Sequence, residues 1–387
     1  MSLAVLALVL TVGLVGPLLA TPRRAGVPVA IGEVAAGLLV GRTGLGWIDP
    51  DRPELVVLAQ AGFALIMLVA GSHVPVRSPA LRTALGRGAG LAAVTGLCAA
   101  AAGPGVAALA GTGHGWLYAV LLASSSAALV LPVVQEAGLS SPPVLTMVAQ
   151  VAVADVAAIV LLPLAEQPAR AGRAALGTLA VAGAAGVAFL TLRGFRAHGW
   201  QRRLHRLSRA RNFGLELREQ LIIVFALAGL AEAVGGSVML AGFAAGLVLA
   251  AQGEPRRLAR QLFAVADGFL GPVFLVWLGA SLDLGELFGR PRMMVLAAVL
   301  AAAGVAVHGV AGLLGQPLPL ALLAGAQLGV PVAAVAIGGQ GHLLRPGEGG
   351  AILAAALVSV TVTAGAAAAA RRGARPVAED TGGGQAL

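Results

Sequence analysis

Few ionisable residues lie within the long apolar runs of this chain, and they are the residues that could do chemistry. They are Glu33, Asp155, Glu232 and His308. Placing an ionisable side chain in a membrane interior is costly, so each is a candidate functional group. The chemistry open to such groups is the binding and release of protons and cations.

Asp155 is the strongest of these candidates. It lies near the centre of the run VLTMVAQVAVADVAAIVLLPL, with no Arg or Lys within one helical turn. Burial disfavours the charged form of a carboxylate unless a proton or a cation neutralises it. Asp155 is therefore suited to exchange a proton for a cation. The alternative is a structural Asp that is hydrogen-bonded to hydroxyl groups.

The other polar residues of these runs allow more than one interpretation. His308 is either a proton carrier, a partner that neutralises the site when no cation is bound, or a core histidine bonded to a backbone carbonyl. Gln150 lies five residues before Asp155 and is predicted to hydrogen-bond to a nearby helix break. Glu33 follows a glycine near a helix start, where a role in helix capping explains the carboxylate as well as a role in transport does. Glu232 lies near the end of its run.

Two predicted helices, at 115–134 and 317–340, contain residues that interrupt helices. These residues are Ser124, Ser125, Ser126, Pro132, Gly329 and Pro331. A proline removes a backbone donor, and in a membrane the freed groups persist only where they are capped or line a cavity. Serine hydroxyls can supply such caps. Each break alone could be an ordinary kink, but a pair at equivalent places favours a crossed, broken-helix ion site.

The composition fixes the class of protein. Of 387 residues, 58% are apolar, 11% are charged and 55 are glycine. This predicts an all-α polytopic membrane protein with about 13 spans of roughly 20 residues, which leaves no room for a soluble catalytic domain. The single cysteine, Cys98, cannot form an intrachain disulfide. Because no nucleophile and base pair, metal-ligand spacing or phosphate loop stands out, we expect no enzyme activity, no cofactor and no metal beyond a transported cation.

The basic residues predict the orientation in the membrane. All 26 are Arg, so the net charge of +9 is read as a topology signal rather than as a nucleic-acid site. With the N-terminus outside, 19 Arg fall in inner loops and 6 in outer loops, with Arg42 at a helix end. This predicts a plasma-membrane protein with a cytoplasmic C-terminus. The loop at 193–219 is either topogenic or a contact for anionic lipid, and the tail at 371–387 is predicted to be disordered.

The chain also repeats internally. A shift of 209 residues places VAAGLLVG at 34–41 onto FAAGLVLA at 243–250, and LVAGS at 68–72 onto WLGAS at 277–281. Seven predicted helices separate the two copies, and an odd number means that the second copy crosses the membrane in the opposite direction. Such inverted repeats are typical of secondary transporters, whose substrate site lies where interrupted helices of the two halves meet.

With these motifs in order, the chain resembles the type-2 branch of the monovalent cation/proton antiporters, which includes sodium/proton and glutathione-gated potassium/proton exchangers. The similar segments are VPVAIGEVAAGLLVGRTGLG, LAQAGFALIMLVAGSHVPV, AVLLASSSAALVLPVVQEAGL, AQVAVADVAAIVLL and FLGPVFLVWLGASLDLGEL. The resemblance extends over about residues 3–370.

The resemblance implies a homodimer that works by an elevator type of alternating access. The antiporter domain would cover 1–370. The resemblance divides it into a dimerisation part at 1–75 and 219–285, a moving core at 91–164 and 293–370, and a linker helix at 174–192. Asp155 would correspond to the essential ion-binding aspartate of the family.

The chain departs from this family in ways that affect the mechanism. Electrogenic members have a second Asp where Ala154 stands and a Lys where His308 stands, and this chain has no Lys. One carboxylate predicts exchange of one cation, Na⁺ or K⁺, for one proton. Two alternatives remain: the same scaffold could carry an organic solute, or it could be a non-transporting sensor or assembly subunit.

Overall fold

The computed structural model consists of helices that pack side by side. It describes residues 2–21, 29–74, 79–136, 139–166, 171–197, 214–253 and 256–373. Within these ranges every regular element is helical. Eight of the described helices are long and apolar enough to cross a membrane, and four shorter ones are also apolar. The all-helical, multi-span class is confirmed, and the count of thirteen spans stays a prediction.

The helices divide at the middle of the chain. In the first half they are α1 (Leu3–Gly13), α2 (Val15–Ala20), α3 (Val29–Val40), α4 (Pro53–Ser72), α5 (Pro79–Ala110), α6 (Gly115–Ala123), α7 (Ala127–Glu136), α8 (Pro142–Glu166) and α9 (Ala171–Ala197). In the second half they are α10 (Leu215–Ala233), α11 (Val238–Gln252), α12 (Arg256–Val265), α13 (Gly271–Ser281), α14 (Leu284–Phe288), α15 (Pro291–Leu313), α16 (Leu318–Leu323), α17 (Gly329–Gln340) and α18 (Glu348–Gly373). A π-helical turn, Ala266–Leu270, joins α12 to α13.

These helices form two bundles. The first bundle contains α1–α4, α10, α11 and α13, and the second bundle contains α5–α8 and α15–α18. Helix α9 packs on α8 of the second bundle and on α10 and α11 of the first. The dimerisation, moving-core and linker roles expected for these parts stay predictions.

The repeat in the sequence is visible as a repeat of helices in the first bundle. Helix α4 ends at Ser72 and α13 at Ser281, and these equivalent ends keep the offset of 209 residues. In the second bundle the offset is shorter, because α6 begins at Gly115 and α16 at Leu318.

Equivalent glycines hold the repeats of the first bundle together. A Cβ atom added at Gly37 of α3 would clash with the carbonyl oxygen of Val276 in α13. One added at Gly246 of α11 would clash in the same way with the carbonyl oxygen of Leu68 in α4. Small residues allow such close approach between membrane helices, where van der Waals packing drives association.

Several sequence predictions fall on residues outside the described ranges. Arg23, Arg24 and Arg77, positions 198–213 of the basic loop, and residues 374–387 of the tail are among them. The predicted orientation, the contact of the loop with lipid and the disorder of the tail therefore stay predictions.

Candidate functional site

Two interrupted helices meet in the second bundle. Helix α6 ends at Ala123 and α7 begins at Ala127, so three residues separate the two halves of the first. Helix α16 ends at Leu323 and α17 begins at Gly329, so five residues separate the halves of the second. Both interruptions are buried in the protein, as irregular backbone at membrane depth must be.

The two interruptions cap each other. The Ser125 hydroxyl donates to the carbonyl oxygen of Ala324 at 2.6 Å, from one interruption to the other. In return, Gln327 Nε2 lies 3.4 Å from the carbonyl oxygen of Leu122, in the last turn of α6. Ser124 closes its own helix, because its hydroxyl donates to the Leu121 carbonyl at 2.7 Å. Buried carbonyl groups freed by the breaks thus find partners.

The positions of the breaks differ from those that the prolines suggested. Pro132 lies inside α7, six residues or more beyond the serines where the helix is interrupted. Gly329 and Pro331 lie in the first turn of α17, after the interruption at 324–328. A proline in the first turn of a helix costs no backbone hydrogen bond, because an N–H group there would have no helical partner. The breaks occur instead where side chains from the other helix take over the freed carbonyl groups.

Asp155 lies in α8, beside the break between α6 and α7. Its side chain is 7% exposed. Its Oδ2 atom accepts a hydrogen bond of 3.2 Å from the backbone N–H of Ala127, the first residue of α7. The N-terminal end of a helix carries partial positive charge and free N–H groups, which favour an anion. The carboxylate is therefore held at the end of a half-helix, with Ala154 buried beside it.

A cavity of about 400 Å³ between the two bundles leads to Asp155. Asp155 and Ser126 line it from the second bundle, and His73 and Asp267 line it from the first-bundle side. Asp267 lies in the π-helical turn before α13. Such turns are common at functional sites. The cavity places one buried carboxylate within reach of water and small solutes.

The bundles also touch in the N-terminal half of α4. Gln60 Nε2 of α4 lies 3.1 Å from Gln340 Oε1 at the end of α17. Close by, the backbone N–H of Gly347 donates at 3.1 Å to Glu286 Oε2 of α14, a short helix that packs on α15 and α18. The cavity is lined by the C-terminal half of α4, as far as His73. A second cavity, of about 540 Å³, lies beside the contact of Gln60 with Gln340, and Gln340, Glu286 and Gly347 are among the residues that line it.

His308 lies at the crossing, but it lines a different cavity from Asp155. Its Nδ1 atom is 3.0 Å from the carbonyl oxygen of Gly304, one turn earlier in α15. A Cβ atom added at Gly325 would lie 3.2 Å from the His308 ring, which places the imidazole against the second interruption. The ring lines a small cavity with Gln327. The bond to a backbone carbonyl is the one expected for a core histidine.

Three further residues predicted from the sequence lie away from the crossing. Gln150 faces α5, where its Nε2 atom is 3.4 Å from Thr95 Oγ1, and this contact corrects the predicted bond to the helix break. Glu33 is buried in the fifth position of α3, within electrostatic range of Asp267. Glu232 is exposed near the end of α10, so it lies on the surface of the bundle and not in its interior.

Sequence reasoning missed several polar residues of this region. Gln327 bonds across the crossing, and its backbone N–H donates to the Ser359 hydroxyl of α18 at 3.1 Å. Asp267 lies at the edge of a predicted apolar run, where it was not counted as an intramembrane charge. A survey of all polar residues in the apolar runs, amides and hydroxyls included, would have found Gln327 and Ser359.

The chain is similar to known membrane proteins over most of its length. The sequence model of the family described as "Sodium/hydrogen exchanger, transmembrane" matches residues 7–369. YjbQ of Bacillus subtilis (strain 168), named as a candidate Na(+)/H(+) antiporter, is 22% identical over 392 aligned positions. That alignment covers 94% of this chain and 62% of YjbQ, so the chain spans less than two thirds of the length of that relative.

A solved structure has the same fold. The sodium proton antiporter MjNhaP1 from Methanocaldococcus jannaschii, determined at pH 8, matches with a TM-score of 0.64. The match covers 96% of this chain and 97% of that chain, at 20% sequence identity. The crossed, interrupted helices thus belong to a fold already known from solved structures.

Proposed function

Because the chain belongs to the sodium/hydrogen exchanger family, we propose that it exchanges a monovalent cation for a proton across the plasma membrane. The observation that carries the proposal is Asp155, a buried carboxylate at the end of the half-helix α7 and on the wall of the cavity between the bundles. A carboxylate in this position has two ways to lose its charge: it binds a proton, or it binds a cation.

Oxygen atoms around Asp155 can hold a small cation. Ser126 lines the same cavity as Asp155, so its hydroxyl and the carboxylate are the oxygen ligands that we propose for the cation. Alkali cations, like other hard cations, prefer oxygen ligands. Ser124 and Ser125 take part differently, because their hydroxyls already donate to carbonyl groups and keep the crossing in place.

The exchange cycle alternates the occupant of Asp155. A cation that reaches the carboxylate displaces its proton to water in the cavity, and the reverse occurs on the other side of the membrane. Both loaded forms carry the same charge, because one proton or one monovalent cation neutralises one carboxylate. We therefore propose electroneutral exchange of one cation for one proton, with Na⁺ or K⁺ as the cation. Ala154 supplies no second carboxylate.

The protein would move between two arrangements of its bundles. In the proposed cycle the contact of Gln60 with Gln340, which joins the two bundles, opens as the cavity beside Asp155 closes. The second bundle would carry the site past the first, and the first bundle would form a homodimer in the membrane. The N-terminus would lie outside and the C-terminus in the cytoplasm, as the Arg distribution predicts.

Reconstituted liposomes with an internal pH dye test this function. Pulses of Na⁺, K⁺ or Li⁺ on an imposed pH gradient should give a proton flux in wild type and none in Asp155→Asn. Glu166→Gln is the matched control, because Glu166 is a buried acid on the same helix, about three turns away. Equal fluxes in wild type and Asp155→Asn would refute the proposal. A flux that responds to membrane potential would refute its electroneutrality.

A second candidate function follows from the size of the cavity. About 400 Å³ holds on the order of a dozen waters, which is more than a bare cation needs. A small organic solute would fit beside Asp155. Binding of such a solute that is insensitive to Na⁺ and to pH, with no proton flux in liposomes, would favour this alternative.

A further inference from the structure

A buried carboxylate outside the crossing, Glu348, joins two helices of the second bundle. Glu348 is 0% exposed and is the first residue of α18. Its Oε1 atom lies 2.7 Å from the hydroxyl of Tyr118 in α6 and 2.7 Å from Nδ1 of His114, which precedes α6. Its Oε2 atom accepts from the backbone N–H of Arg345 at 2.8 Å. Both carboxylate oxygens are therefore bonded.

The distances around Tyr118 determine which groups of this cluster donate hydrogen bonds. Tyr118 Oη also lies 2.9 Å from Thr112 Oγ1. A phenol has one proton, so Tyr118 donates to the carboxylate and accepts from the threonine hydroxyl. A hydrogen bond from a neutral donor to a carboxylate is shorter and stronger than one between neutral groups. The N-terminal end of the long helix α18 further favours the negative charge of Glu348.

This cluster is rigidly connected to the crossing. Tyr118 and Ser124 are six residues apart, and Ser124 is the C-terminal cap of α6, so about 9 Å of helix separates them. Ser124 is followed directly by Ser125, whose hydroxyl bonds to Ala324. A shift or tilt of α6 at Tyr118 is therefore carried to the serines beside Asp155.

The same loop also contacts α14, a short helix that packs on α15 and α18. Gly347, next to Glu348, has a φ of +84° and donates its N–H to Glu286 of α14. A Cβ atom at Gly347 would lie 2.7 Å from the Glu286 carbonyl oxygen, so only glycine fits this close approach. The loop between α17 and α18 thus contacts α14 through one residue and holds α6 through the next.

We propose that Glu348 is a positioning residue of this transporter: through Tyr118 it sets the position of α6, and with it the geometry of the serines beside Asp155. The inference rests on the proposed function for its effect on transport, but the position of the serines can be measured without transport. Removing the link lets α6 move, and the cation then meets a site with misplaced oxygen atoms. The apparent affinity for the cation falls, and the number of active molecules does not.

The first test separates this role from a merely structural one. Tyr118→Phe should raise the KM for Na⁺ or K⁺ about 3-fold to 10-fold in liposomes, with little change in maximal flux per folded protein. Thr112→Val is the matched control, because it keeps the bond between Tyr118 and Glu348 and should leave KM within about 2-fold of wild type. A lower maximal flux with unchanged KM in Tyr118→Phe would overturn the inference.

The second test measures how accessible position 126 is, in the interruption between α6 and α7, and it works whether or not the protein transports cations. Ser126→Cys, in a Cys98→Ser background, places a thiol on the cavity wall. Adding Tyr118→Phe should change its rate of labelling by a small methanethiosulfonate reagent at least 3-fold. The same change is expected with Glu348→Gln, and none with Thr112→Val. An unchanged rate in folded Tyr118→Phe protein would overturn the inference, whereas absence of cation flux in wild type would overturn only the proposed function.

Discussion

The bond between the two interruptions gives a prediction that can be worked out in detail. Ser125 is 1% exposed, and its hydroxyl donates to the carbonyl oxygen of Ala324 at 2.6 Å. Among the described residues this is the hydrogen bond that the structure assigns to that carbonyl. Ser125→Ala therefore leaves a buried acceptor without a partner.

The expected loss in the free energy of unfolding is modest. A buried acceptor left unpaired costs about 1–3 kcal/mol in proteins generally, and hydrogen bonds between membrane helices reach about 1.7 kcal/mol. We expect a loss of about 1–2 kcal/mol. With an unfolding entropy of about 2.1 cal/mol/K per residue over 387 residues, the loss lowers Tm by about 1–3 °C.

Ser124→Ala is the matched control for this prediction. The Ser124 hydroxyl also donates to a carbonyl, that of Leu121, at 2.7 Å. The backbone N–H of Ser124 donates to the same oxygen at 3.1 Å, so the Leu121 carbonyl keeps a partner after the substitution. The same atoms are removed from two equally buried sites, but only Ser125→Ala creates an unpaired acceptor. Thermal unfolding in detergent, followed by tryptophan fluorescence, measures both variants. If Ser124→Ala lowers Tm as much as Ser125→Ala, the account of the crossing is wrong.

Three further predictions follow from the same structure. Burial lowers the pKa of His73 below its ordinary value of 6.5, so the imidazole on the cavity wall becomes charged, and opposes cation access, only at acid pH. His73→Gln should shift the acid limb of the exchange rate to lower pH in liposomes, and superposable pH profiles would contradict this. Gly246→Ala places a Cβ atom against a backbone carbonyl and should reduce the yield of folded protein on size-exclusion chromatography. The control is Gly183→Ala on α9, where the added Cβ atom meets open space, and it should be neutral or stabilise the protein by about 0.5–1 kcal/mol. Equal yields of the two variants would exclude the packing argument. Gln327→Leu removes the amide at the crossing and should raise the KM for the cation about 3-fold or more, and an unchanged KM would show that the amide does not position the site.

The interrupted helices illustrate how far sequence reasoning reaches. Serines and a proline in one apolar run, and a glycine and a proline in another, correctly indicated two discontinuous helices. The prolines did not mark the breaks: Pro331 lies in a first turn, where a missing N–H costs little, and α7 continues through Pro132. The breaks lie where donors from elsewhere satisfy the freed groups. Those donors, Ser125 and Gln327, act across about 200 residues of sequence.

The repeat in the sequence is seen in the first bundle, where the ends of α4 and α13 keep the offset of 209 residues. The glycine in each copy, Gly37 and Gly246, is needed because two backbones approach closely there. In the second bundle the offset between equivalent helices differs from 209 residues, so the match could not be read from a single shift of the sequence. Short changes in loop length are tolerated between helices, whereas the helix faces that pack are constrained.

The sequence by itself determined the class of this protein and its most important residue. Apolar runs separated by Arg-rich loops require a membrane, and a lone carboxylate in such a run is costly enough to demand a function. Only the tertiary structure decided which groups meet. It placed Asp155 at the end of α7, moved Gln150 to α5, brought Glu348 to Tyr118 across 230 residues and left Glu232 at the surface. The reason is physical: burial follows from the composition of each segment, whereas a hydrogen-bond partner depends on how distant helices pack.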